Sequence, residues 1–144
     1  MTKALPVVFI LAGALLGTTA HAAGQLRYVE RAVNEKVVDL GAKGDSIGDL
    51  LVFLNPLYDA DNRNAVGTSH GYCVRIDVGV SWECTWTMKL AAGTLAVHGT
   101  YPDEGDSDFA ITGGTGRYAG ARGALHVHAR DTAHTSYDFT IDLR

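Results

Sequence analysis

The chain has 144 residues, 47% of them hydrophobic and 19% charged, which fits one folded domain and excludes a disordered or coiled-coil chain. Twelve Lys and Arg against sixteen Asp and Glu leave a net charge of −4, so there is no basic surface of the kind a nucleic-acid partner requires. Six Tyr, four Phe and two Trp beside seventeen Gly and only three Pro point to short strands and turns rather than a helical bundle.

Residues 1–22 read as an export signal: Lys3 gives a positive start, Ala4 to Gly17 an apolar stretch, and Ala20-His21-Ala22 a small-x-small cleavage site. The stretch is shorter than the roughly 20 residues that cross a bilayer, and Gly17-Thr18-Thr19 ends it. We therefore expect cleavage after Ala22, export to the periplasm or the medium, no later membrane span, and a single domain over residues 23–144.

Eight strands are expected in that domain: Gln25 to Val33, Gly48 to Leu54, Val66 to Asp77, Ser81 to Ala91, Gly93 to Thr100, Ser107 to Thr112, Gly123 to Arg130 and Thr135 to Leu143. Asn55-Pro56, Asp61-Asn62-Arg63-Asn64, Asp103-Glu104-Gly105 and Gly113-Gly114-Thr115-Gly116 supply turns between them. No segment keeps a helical period. Alternation is clearest at the end, where Tyr137, Phe139, Ile141 and Leu143 interleave with Asp138, Thr140, Asp142 and Arg144. The fold class this predicts is all-β, an eight-stranded antiparallel closed barrel, with a two-sheet sandwich as the other possibility.

A turn at Val78-Gly79 pairs Asp77 with Val80, Arg75 with Trp82 and Cys73 with Cys84. Opposed Cα atoms of a non-hydrogen-bonded antiparallel pair lie about 4.5 to 5.5 Å apart, within reach of a disulfide, and export places both thiols in an oxidising compartment. A Cys73–Cys84 bridge is the expectation. Trp82, Trp86 and Met88 share a face with Cys84, where they either line a cavity or fill a core. Arg75, opposite Trp82, either binds a ligand carboxylate or phosphate or stacks on the indole.

His126 and His128 share one strand face and, with His98 or His134, invite a metal reading. No Glu follows at a useful interval, and Leu125 and Val127 look like the buried set, so we expect exposed histidines, no metal and no other cofactor. Gly114-x-Gly116-x-x-Ala119 matches a loose dinucleotide fingerprint, but a strand follows it instead of a helix, so its glycines are read as a tight turn.

The run Gly48-Asp49-Leu50 through Phe53, Asn55 and Leu57-Tyr58, then Val66-Gly67, Gly71 and Cys73-Val74, resembles the allene oxide cyclase family of small β-barrels. The likeness continues through Gly93 to Tyr101 and Asp108 to Gly116. Gly114-Thr115-Gly116 to Ala121-Arg122-Gly123 is similar to a signature of dirigent proteins. It spans roughly Gly48 to Leu143 and implies a calycin-type barrel. In that family the cavity holds an unstable fatty-acid epoxide, an Asn helps position a water against the epoxide oxygen, and the walls force the folded conformer that cyclises. The resemblance implies Asn55 in the place of that Asn, with Phe53, Cys73 and Tyr101 at cavity-lining positions. It also implies that a bridged Cys73 would occupy a ligand-facing position. The family's first-strand Glu is matched only by Glu30, which stands out of step, and no Pro occurs between Ala22 and Pro56.

Together these readings give Asn55 as the catalytic candidate and Phe53, Cys73, Arg75, Trp82, Trp86 and Tyr101 as ligand-binding candidates. The function expected is an exported barrel for a hydrophobic small molecule, either an isomerase or cyclase steering an intramolecular cyclisation, or a dirigent-like barrel that orients or binds an apolar ligand without catalysis. The resemblance also implies a dimer or trimer.

Overall fold

Alternation sets the strands. In Ser81–Leu90, Trp82, Cys84, Trp86 and Met88 are buried while Ser81, Glu83, Thr85 and Thr87 stay partly exposed. The same period of two runs through Ser107–Gly114 and Gly123–Ala129. Each strand thus carries one apolar face, and curling the sheet on itself buries all of those faces together.

The computed structural model describes residues 24–144, where nine strands form: β1 (Gln25–Arg31), β2 (Glu35–Val38), β3 (Leu50–Tyr58), β4 (Ala65–Asp77), β5 (Ser81–Leu90), β6 (Gly93–Pro102), β7 (Ser107–Gly114), β8 (Gly123–Ala129) and β9 (Ser136–Leu143). Neighbours pair antiparallel in the order β1-β9-β8-β7-β6-β5-β4-β3, and contact between β1 and β3 closes an eight-stranded barrel. β2 lies outside it, paired to the first half of β3. The expected signal segment, residues 1–22, lies outside the described residues.

Three local expectations are corrected. β2 was not foreseen. β3 runs on through Asn55-Pro56 to Tyr58 instead of turning there. Its partner changes at that point, from β2 up to Phe53 to β1 from Leu57, so the missing N–H of Pro56 falls in the gap between two partners. In the β4–β5 hairpin Arg75 faces Trp82 and Cys73 faces Cys84 as expected, but a bulge between Arg75 and Asp77 sets Asp77 opposite Ser81, not Val80.

Because adjacent strands run in opposite directions, one end of the barrel carries the connections at 32–49, 78–80, 103–106 and 130–135. The other carries 59–64, 91–92 and 115–122. Toward this second end Leu57, Met88, Leu95, Ile111, Leu125 and Ile141 are completely buried and close the interior. The first end holds larger and more polar inward side chains, and there the packing leaves space.

Candidate functional site

The space is a cavity of about 70 Å³, open to solvent on one side, with room for roughly five waters. Phe53, Trp86, Phe109 and Phe139 form much of its wall, with Leu51, Val127 and the Cys73–Cys84 disulfide. The Trp86 indole packs edge-on against Phe109 at 4.6 Å and against Phe53 at 6.3 Å between ring centroids. Gly71 on β4 faces Trp86 directly, and a Cβ there would collide with the Trp86 Cβ and the Thr85 carbonyl, so glycine is what lets β4 and β5 approach this closely beside the indole. The indole Nε1 is buried without a hydrogen-bond partner.

Four polar side chains interrupt the apolar wall: Glu30, Glu35, Tyr101 and Tyr137. Glu30 faces inward because its partners across the ladders, Tyr137 on β9 and Leu57 on β3, do so. Val29, on the opposite face, is buried too, so exposure gives β1 no clean alternation at this point.

Asn55 organises the carboxylates from behind. Its Nδ2 donates to Glu30 Oε1 at 3.1 Å and to Glu35 Oε1 at 2.8 Å, while its Oδ1 accepts from the backbone N–H groups of Val33 and Asn34 at 3.2 and 3.1 Å. All four hydrogen-bonding positions of the amide are used and the residue is fully buried. The Asn55 side chain therefore fills the gap in β3's pairing, where the chain crosses from β1 to β2.

Glu30 Oε2 is buried with no hydrogen-bond partner. Burial raises the Glu30 carboxyl from its ordinary 4.5 to about 7; the Ser69 hydroxyl and the Asn55 amide favour the carboxylate, and the charge of Glu35 opposes it. Ser69 lies close enough for that effect, although no hydrogen bond of good geometry joins the two. The Tyr101 and Tyr137 hydroxyls meet at 3.0 Å, and His134 Nδ1 lies 3.3 Å from the Tyr101 hydroxyl. Desolvation is the main cause that raises both phenols, so they stay protonated at neutral pH. The wall thus combines a carboxyl poised near neutrality with two phenolic O–H groups, a set able to take up or return a proton and to donate to a ligand oxygen.

Of the residues singled out in the sequence, Phe53, Cys73, Trp86 and Tyr101 converge on this cavity; Asn55, Arg75 and Trp82 do not line it. Arg75 stacks on Trp82, its Cζ 4.0 Å from the ring centroid, with Nε 2.7 Å from Asp45 and NH1 2.6 Å from Asp103. It clasps the 39–49 and 103–106 connections together. Glu30, Glu35 and Tyr137 are the polar wall residues not foreseen as site residues, and Leu51, Phe109, Val127 and Phe139 are the apolar ones. Among the described residues no group of three or more His, Cys, Asp or Glu could hold a metal ion, and no helix is long and apolar enough to cross a membrane. His126 and His128 are exposed, with Nδ1 atoms 2.9 and 2.7 Å from Asp108 and Asp106.

Fold and site together define a closed antiparallel β-barrel, plugged with apolar side chains at one end and holding an aromatic, acid-bearing cavity at the other. The chain belongs to the allene oxide cyclase family, which it matches over residues 28–134. Among solved structures it is similar to a pyocyanin demethylase, at 26% identity over 84% of this chain and 100% of that one, with a TM-score of 0.74. A pterocarpan synthase dirigent protein shares the fold at 19% identity over 83% of this chain and 93% of that one, TM-score 0.72. So does the Diels Alderase AbmU from Streptomyces koyangensis, at 18% identity over 83% of this chain and 63% of that one, TM-score 0.68.

Proposed function

We propose that this is an exported small-molecule barrel in which Glu30 moves a proton on an apolar, reactive ligand, an isomerase or cyclase in chemical type. The carrying observation is the Glu30 carboxyl, buried in the wall of an aromatic cavity with a pKa of about 7. A general base of that strength is half ionised near neutral pH, and apolar walls hold the substrate against it. Phe53, Cys73, Trp86 and Tyr101 contact the ligand in this reading, Tyr101 and Tyr137 donate to oxygen where charge develops, and Asn55 is a positioning residue that aims both carboxylates. Membership of a family named for a cyclase, and likeness to a demethylase and a Diels Alderase, support small-molecule chemistry on this barrel.

The Asn55 amide has no free hydrogen-bonding position for a ligand, and this observation favours a second reading, a dirigent-like barrel that orients or binds a ligand without turning it over. The Cys73–Cys84 disulfide supports export, since such bonds persist in oxidising compartments. The exposed apolar outer face of β3 and β4, where Val52 lies opposite Tyr72 with Leu54 beside them, supports a homo-oligomer of two or three copies.

The test is to identify by mass spectrometry the small molecule that co-purifies with the exported protein, then to incubate it with wild type and Glu30→Gln. Turnover lost by the variant while binding persists supports the catalytic reading. Equal turnover by both removes Glu30 from the chemistry, and binding without turnover by either favours the dirigent-like reading.

A further inference from the structure

The wall of the cavity limits the charge of its occupant. Two carboxyl groups, Glu30 and Glu35, belong to the lining, and among the described residues no Lys, Arg or His side chain does. The cations on neighbouring strand positions are committed elsewhere. Arg75 is held by Asp45, Asp103 and the Trp82 ring, and Arg31 by Asn62 and the face of Tyr58. An anionic ligand would bring its charge into a largely apolar space beside two carboxyls with no counter-charge, an arrangement that desolvation makes strongly unfavourable.

A flat cation meets the opposite environment. Phe53, Trp86, Phe109 and Phe139 present π systems around the space, and such rings attract a cation held against their faces. Glu30, 5% exposed, belongs to the same wall, and no cationic side chain in the lining balances its carboxylate. The volume of about 70 Å³ is smaller than the roughly 150 Å³ that encloses a benzene ring, and the cavity is open to solvent on one side, so it seats one edge of a flat ring system, leaves the rest at its mouth and does not hold a long chain.

Resting on the reading of this cavity as a site for an apolar small molecule, we infer that the apolar ligands it prefers are flat one- or two-ring aromatics that carry a delocalised positive charge, of the protonated or N-alkylated heteroaromatic class, rather than carboxylic acids or phosphates. The charged groups that face Glu30 fit this. Glu35 from β2 adds a second negative charge, whereas Tyr101 from β6 and Tyr137 from β9 keep their protons and Ser69 from β4 and Asn55 from β3 are neutral. A cation seated beside Glu30 favours its carboxylate, so binding below full ionisation releases a proton to water. The bond broken is the carboxyl O–H; nothing on the ligand changes.

The experiment is titration calorimetry of the purified protein at pH 8 with three matched bicyclic probes: 1-methylquinolinium, quinoline and 1-naphthoate. The expected result is cation affinity about tenfold above that of quinoline, with naphthoate weakest, since a close pair of opposite charges at a buried carboxylate is worth about that factor. Glu30→Gln should erase most of the cation's advantage over quinoline. Glu35→Gln, at an exposed position where folding is not at risk, should reduce that advantage by about threefold, as expected for a half-solvated charge. Quinoline or naphthoate binding as tightly as the cation would overturn the charge preference and leave the cavity reading standing. Binding by none of the three would overturn both.

Discussion

Replacing Glu30 with Gln keeps the shape of the side chain and the hydrogen bond from Asn55 Nδ2, and removes only the ability to ionise. Burial raises the carboxyl from 4.5 to about 7, so the folded state holds the proton more tightly than the unfolded chain does. Below pH 4.5 both states are protonated and Glu30 carries no penalty. Between pH 4.5 and 7 the unfolded chain ionises while the folded protein does not, and stability falls as pH rises; above 7 the full penalty is in place. At 1.36 kcal/mol per pKa unit this shift corresponds to about 3 kcal/mol, a large share of a small domain's stability. Gln at position 30 should therefore stabilise the protein by about 3 kcal/mol at pH 8 relative to its effect at pH 4.5. Urea unfolding of both proteins at half-unit pH steps measures the difference directly. A wild-type-to-Gln difference that stays flat from pH 4.5 to 8 would refute the claim that Glu30 is buried at the expense of stability, as expected of a residue kept for function.

Asn55→Ala removes four hydrogen bonds, strands two backbone N–H groups and loosens both carboxylates, and should cost about 3 kcal/mol in thermal or urea unfolding. A loss below about 1 kcal/mol would mean that the amide is not holding the β1–β2 crossing. Reducing the Cys73–Cys84 bond, whose sequence separation is 11, should destabilise by about 2 to 3 kcal/mol without unfolding the barrel at room temperature, as followed by far-ultraviolet circular dichroism. Gly71→Ala drives a methyl into the Thr85 carbonyl and the Trp86 Cβ, and should cost about 3 kcal/mol and alter the near-ultraviolet tryptophan signal. An unchanged signal would mean that the indole is not seated where β4 and β5 place it.

Much of the barrel was legible because its strands obey a period of two. The face shared by Trp82, Cys84, Trp86 and Met88, and the opposition of Cys73 to Cys84, follow from parity and one turn, both short-range properties. β2 was not legible. Glu35-Lys36-Val37-Val38 is four residues long, buries little and sits outside the barrel, so neither alternation nor hydrophobicity marks it. Asn55-Pro56 carried a strong local turn signal that tertiary pairing overrode, because a strand exchanging one partner for another tolerates a residue without an N–H. The acid pair was hidden for a related reason. Glu30 reaches the cavity through the pairing of β1 with β9, elements from opposite ends of the chain, and Glu35 through a strand that the pattern did not reveal. Asn55 stood out in the sequence as a polar candidate, but only its neighbours show that it faces the carboxylates and not the cavity wall.

The central claim is that Glu30 is a near-neutral acid–base group standing in a ligandable cavity. Its most direct test is a carbon-13 NMR titration of the Glu30 side-chain carboxyl, assigned by its loss in Glu30→Gln, with and without 1-methylquinolinium. The account predicts a midpoint of about 7 in the free protein and a lower one when the probe is bound. A midpoint near 4.5 that does not move with the probe would contradict it.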